Sequence, residues 1–228
     1  MGYYIDLESI SLESYRIKLE SAYLPPGRLI LKDRTEERFG YFMHLGIKNV
    51  KELLQLLRKK KNFGELLKED CFSEKYLTIL LRELNSMLPK PNRIKDFTGI
   101  SAEVILKLEK LGIKDTAGFF NRVKSREDRK ELASQTGITD TDILELTGLS
   151  DLSRIKWTGP TFARMLFDAG FDTVDKAAGA DYNDLHTRIN QINKEKGLYK
   201  GQIGLNDIKI FINAAKEVPL EIEYQENE

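Results

Sequence analysis

The sequence has one cysteine, Cys71, and two histidines, His44 and His186, among 228 residues. One thiol cannot close an internal disulfide, and neither histidine has a Cys or His neighbour at metal-ligand spacing, so no metal site is expected. Charge of one sign is lacking too: Lys+Arg and Asp+Glu are both 36, which leaves no net field to draw the chain to DNA or a membrane surface. No apolar run approaches the ~18 residues of a membrane span. The N-terminus, MGYYIDLE, has neither the basic region nor the apolar core of a signal peptide. These absences predict a soluble, cytoplasmic chain with no membrane association. Walker glycines are absent as well. Gly201 and Gly204 in YKGQIGL follow a polar helical pattern rather than a strand, and read as a connecting turn. Cys71 lies among acidic residues in EDCFSEK, which raise a thiol pKa and leave it inert. His44 reads as a helix C-terminal residue, favoured there by the dipole. No catalytic residue, cofactor or small-molecule substrate is expected, and the chain reads as a non-enzyme.

What is present is helical periodicity, 41% hydrophobic content that can fill a sizeable core, and an internal repeat. A helix is expected from about Leu12 to Ala22 with Ser11 as its cap, carrying Tyr15, Leu19 and Tyr23 at spacings of four. Pro25-Pro26-Gly27 then turns the chain. LGIKNV at 45–50 recurs as LGIKDT at 111–116 and AGFDTV at 169–174, intervals that mark a repeat of about 60 residues. Aligned on Gly46, Gly112 and Gly170, the copies place Leu31, Phe97 and Ile155 at one apolar position, followed by a turn and a helix of about ten residues. Pro160 and Gly170 mark the start and stop of that helix in the third copy. Ser125, Thr139, Asp181 and Asn206 are expected to open further helices. The chain is therefore expected to be all-α, with an N-terminal segment (1–30), repeats at 31–92, 93–153 and 154–218, and a tail at 219–228. Their apolar faces are expected to form one continuous core.

The copies differ in charge. Residues 31–92 hold 13 basic and 9 acidic side chains, net +4, while residues 1–30, 93–153 and 154–228 come to −1, −1 and −2. The densest basic point is Arg58-Lys59-Lys60-Lys61, where a helix end and its dipole also favour cations.

The blocks IKWTGPTFARMLFDAGF (155–171) and FTGISAEVILKLEKLGI (97–113) resemble the helix-hairpin-helix motif. With SREDRKELASQTGITDTDILELTGLSDLSRIKWTGP, the chain is similar to a bacterial and archaeal family of unknown function built from degenerate helix-hairpin-helix repeats. The likeness is strongest from about residue 92 to 218. It implies tandem helix-hairpin-helix units, whose DNA-binding members use two hairpin glycines and a helix N-terminus to hold a phosphate without reading bases. Carried over, those glycine slots hold Asp33 and Thr35, Gly99 and Ser101, and Trp157 and Gly159. Only Gly99-Ile100-Ser101 keeps a plausible cradle, with Arg93, Lys95 and Lys107 as helpers and Lys59, Lys60 and Lys61 as a basic patch in the first copy. The alternative is that all three hairpins are packing elements, with Thr35 and Ser101 as N-caps and Trp157 as a core or interface aromatic.

Two functions follow, of which the resemblance favours the first and the second is the alternative. One is a DNA-backbone-associated protein; the other is a protein-interaction scaffold that has lost its phosphate hairpins. A last expectation concerns residues 3–7 and 220–224, whose aromatic, branched and alternating character predicts a small two-stranded ribbon packed on Tyr15 and Leu19.

Overall fold

Most helices begin where a short polar side chain can take a first-turn N–H. A computed structural model describes residues 2–224 except Lys60, and within them the side chains of Ser11, Asn49, Ser73, Ser101, Asp115, Ser125, Thr139, Thr173 and Asp181 each accept such a bond. This is the stabilising use of these residue types, worth about 1 kcal/mol each. The result is an all-α chain, and no strand forms among the described residues.

The chain makes two compact units, residues 6–88 and residues 1–5 with 89–228. The first contains α1 (Leu12–Ser21), α2 (Thr35–His44), α3 (Val50–Arg58), α4 (Lys61–Leu66) and α5 (Glu74–Ser86), with a 3-10 turn over Pro26–Lys32. Its interior is aromatic and leucine-rich: Phe39, Phe42, Leu53, Leu57, Tyr76 and Leu80 are all fully buried. The second contains α6 (Ala102–Lys110), α7 (Thr116–Phe120), α8 (Arg126–Thr136), α9 (Asp140–Leu152), α10 (Pro160–Asp168), α11 (Val174–Ala178), α12 (Tyr182–Lys196) and α13 (Leu205–Ala215). One apolar cluster runs through this unit from Ile94 to Val218. The second and third copies therefore share a core, whereas the first belongs to the other unit; a single core over all three copies is not what the chain forms.

The glycine turns recur with the same hydrogen bonds. Gly46, Gly112 and Gly170 have φ of +83°, +77° and +87°, a conformation that suits glycine because a β-carbon would crowd the next carbonyl. In each, the following residue donates back across the turn: Ile47 to Phe42 O, Ile113 to Leu108 O and Phe171 to Leu166 O, at 3.2, 3.0 and 2.9 Å. Three residues beyond each glycine stands the cap of the next helix, Asn49, Asp115 or Thr173. Leu31, Phe97 and Ile155 are all buried.

The terminal ribbon is not formed. Among the described residues neither segment is a strand, because the backbone groups that a ladder would pair are satisfied elsewhere. Glu223 N–H donates to Lys124 O at 2.9 Å, and Glu223 O accepts from Arg129. Residues 3 and 219 are joined instead by one guanidinium: Arg154 Nε donates to Tyr3 O (3.2 Å) and Nη2 to Pro219 O (2.8 Å). Tyr15 and Leu19, the expected receiving face, are buried in the unit of residues 6–88.

Candidate functional site

A phosphate cradle needs a hairpin backbone open to approach and unneutralised cations beside it. Gly99 has the required backbone, with φ +92°, and Ser101 is exposed. Ser101 Oγ, however, is occupied as the cap of α6, accepting from Val104 N–H at 3.2 Å. Gly99 is itself exposed, with a side chain of α10 lying against it. A β-carbon at position 99 would lie 3.4 Å from Arg164 Nη2, an ordinary contact, so the glycine is called for by its backbone conformation and Arg164 of α10 packs against it. Arg164 is only 7% exposed and is committed to carboxylates: Nη2 bonds Glu145 Oε1 at 2.5 Å and Nη1 bonds Asp168 Oδ1 at 3.4 Å. Lys196 takes the other Asp168 oxygen at 2.7 Å, so the four charges cancel. Ile100 packs against the apolar cluster.

The expected helpers divide. Lys107 is not available to the hairpin: its Nζ pairs with Glu103 at 2.7 Å and donates to Gly137 O at 2.9 Å, closing the C-terminus of α8. Arg93 and Lys95 are exposed, at the turn whose backbone pairs with the segment before α7 through Ile94 N–H to Lys114 O and Thr116 N–H to Asn92 O. Lys59 and Lys61 are exposed at the end of α3 and the start of α4, and Lys60 lies outside the described residues. These lysines belong to the unit of residues 6–88 and Gly99 to the other.

The first hairpin is also built around a buried arginine, and the third is not. In the first, the positive φ falls at Arg34 (+48°) rather than at Asp33. Thr35 is consequently the first residue of α2 instead of its cap, and its hydroxyl bonds Glu20. Arg38 reaches back from α2 to donate to Asp33 O (2.6 Å) and Cys71 O (2.7 Å), with its guanidinium over the Tyr76 ring. The Cys71 thiol is pushed up chiefly by burial, with Glu37 adding to it. In the third hairpin Trp157 takes φ +66° and is 43% exposed, so it is not a core aromatic; Lys156 Nζ lies 4.2 Å from its ring centre. Such a backbone is an outlier for a bulky residue.

The pattern reading missed the most enclosed polar cluster. Asp151, 3% exposed, accepts from Arg154 Nη1 (2.7 Å), Val174 N–H (3.1 Å) and the Tyr224 hydroxyl (3.2 Å). Burial pushes its carboxyl upward, against the pull of Arg154, the Val174 N–H and Tyr224. Burial and then the neighbouring carboxylate raise the Tyr224 phenol in turn. The signal was an aspartate and an arginine three apart as the only charges in LTGLSDLSRI, since a charge pair inside a largely uncharged helical stretch is buried together or not at all. The carboxylate, the guanidinium and the phenol of this cluster thus each serve another part of the chain.

No group of three or more His, Cys, Asp or Glu side chains among the described residues could hold a metal ion, and no described helix is long and apolar enough to cross a membrane. Comparison with curated proteins and with solved structures found no match. A family model described as a domain of unknown function, DUF4332, matches residues 98–218, from the Gly99 hairpin to the end of the shared core. That span is more than half of the chain, and the chain belongs to this family.

Proposed function

We propose that this protein is a non-enzymatic interaction module, assembled from three degenerate helix-hairpin-helix units whose phosphate hairpins have become packing elements. The observation that carries this reading is the Arg164 guanidinium against Gly99. The one hairpin with a suitable glycine has a neutralised, buried arginine packed against it, and in the first hairpin Arg38 bonds the Asp33 and Cys71 carbonyls. The recurrent glycine turns with their shared hydrogen bonds support the repeat interpretation.

A second reading, DNA association through phosphate contacts, is favoured by the exposure of Arg93, Lys95, Lys59 and Lys61. The two separate in a titration with duplex, single-stranded and branched DNA at low and moderate salt. Phosphate binding weakens steeply with salt. The interaction-module reading expects no saturable DNA binding; salt-sensitive binding reduced by charge reversal at Lys59 and Lys61, or by Ser101→Asp, would replace it with the DNA reading.

A further inference from the structure

The unit of residues 1–5 and 89–228 carries a groove of about 1130 Å³. Its walls are the first turn of α8, one face of α9, the start of α11 and residues 220–224, with Gly148 and Phe167 among its lining. The tail wall is fixed rather than loose: Glu223 is bonded through both backbone groups to Lys124 and Arg129, and Glu221 pairs with Lys124.

The lining is mainly acidic with an apolar component: seven carboxylates stand against two cations, Arg126 and Lys176, and Lys176 is paired with Asp172. Glu127, Asp175 and Glu223 face the groove and are all exposed; among the described residues Glu127 and Asp175 join no ion pair, and Glu223 has Arg129 beside it. Leu144 on α9 and Leu220 on the tail wall line it at 49% and 65% exposure. Its volume exceeds the roughly 300–1,000 Å³ of small-ligand pockets. Its carboxylates do not converge on one point, as a metal ion would require. Separated negative charges beside exposed leucines call instead for an occupant with cations and apolar side chains distributed along its length. A helix with a basic face and a leucine-rich face has that chemistry, read at spacings of three and four residues.

We propose that this groove docks a lysine- or arginine-rich amphipathic helix of a partner protein. The proposal rests on the interaction-module reading and gives that module its partner class. Glu127, Asp175 and Glu223 recognise the cationic face, and Leu144 and Leu220 bury against the apolar one. Nucleic acid is disfavoured by the same lining, in which carboxylates outnumber cations.

The test uses the full chain and a fluorescein-labelled synthetic amphipathic helix of lysine and leucine. A counterpart with glutamate in place of lysine and a scrambled lysine–leucine peptide serve as controls. Saturable anisotropy with the basic helix, absent with the acidic one and weaker with the scramble, is expected. Glu127→Gln and Asp175→Asn should each weaken it by roughly 1.5- to 5-fold, the range for exposed ion pairs, and Leu144→Ser should weaken it further. All three positions are exposed, and circular dichroism verifies that the variants remain folded. Equal binding of basic and acidic helices, or unchanged binding in all three variants, overturns the proposal. If neither peptide nor DNA binds, the groove proposal falls while the interaction-module reading stands. If DNA binds and the peptide does not, both fall.

Discussion

Asp151 Oδ2 accepts the N–H of Val174 at 3.1 Å. At the corresponding position of the other two copies, Val50 and Thr116 donate to the backbone carbonyls of Ile10 and Asn92. A carboxylate thus substitutes for a chain segment, and it brings Arg154 into the interior with it. Truncation at Asp151 leaves that guanidinium buried without its anion. Asp151→Ala should therefore cost about 3–5 kcal/mol, the range for breaking a buried pair by one partner. Asp151→Ala combined with Arg154→Met should cost clearly less than the sum of the two single changes, as measured by urea denaturation.

Gly148 lies inside α9, where exchanging an exposed glycine for alanine ordinarily gains about 1 kcal/mol. Here the sign should reverse. A β-carbon at 148 would sit 2.5 Å from Asp172 O and 2.9 Å from Phe167 Cε2, and the backbone oxygen cannot swing aside. Gly148→Ala is expected to destabilise by about 1–3 kcal/mol through overpacking. A thermal midpoint at or above that of the parent protein would show that α9 and the start of α11 can separate without cost.

Helix boundaries were legible because their signals are local. Ser11, Asn49, Ser125, Thr139 and Asp181 cap the helices that their positions announce, and Pro160 and Gly170 bound α10 as expected. Asn206 was off by two residues: α13 opens at Leu205, with Gly204 as the cap position and Asp207 Oδ2 accepting the Gly204 N–H. The hairpins were less legible. Gly99 reads alike whether its open side meets a phosphate or Arg164, and that arginine is 65 residues away in the sequence. The tail failed for a related reason. The alternation of Leu220, Ile222 and Tyr224 was real, but the partners that took its backbone, Lys124 and Arg129, sit at a loop and a helix start that carry no strand signal.

Acid sensitivity can be assigned at the start of α8. Asp128 closes a capping box, accepting the Ser125 N–H at 2.9 Å while Ser125 Oγ accepts the Asp128 N–H at 3.1 Å. The Ser125 backbone bond, then its hydroxyl, hold the Asp128 carboxyl below the usual aspartate range. A carboxyl lowered in the folded state contributes stability above its unfolded pKa of about 3.9, and that contribution is lost as pH falls through the folded value. Asp128→Asn should therefore be less stable than the parent protein at neutral pH, with the gap narrowing below about pH 4. Paired denaturation curves across pH test this; a gap of constant size would mean that the charge of Asp128 plays no part.

Trp157 offers a test that separates backbone from side chain. Its φ of +66° is left-handed, which costs a residue with a β-carbon about 1–2 kcal/mol relative to glycine. The ring is 43% exposed, so truncation removes only part of a buried surface along with its contact to Lys156. Trp157→Ala keeps the backbone penalty and loses the ring. Trp157→Gly loses the ring and the penalty together, but gains freedom in the unfolded chain, which takes back about 0.4–1 kcal/mol. The glycine variant should therefore exceed the alanine variant by roughly 0.5–1 kcal/mol in denaturant unfolding, after the entropy of glycine is set against the relieved strain. Because the comparison is between two variants that both lack the indole, any role of the ring in packing or binding cancels. An alanine variant as stable as the glycine one would mean that the turn relaxes out of the left-handed region once the indole is gone, and that the side chain, rather than the path of the chain through Thr158 N–H to Ile155 O, holds the hairpin in its strained form.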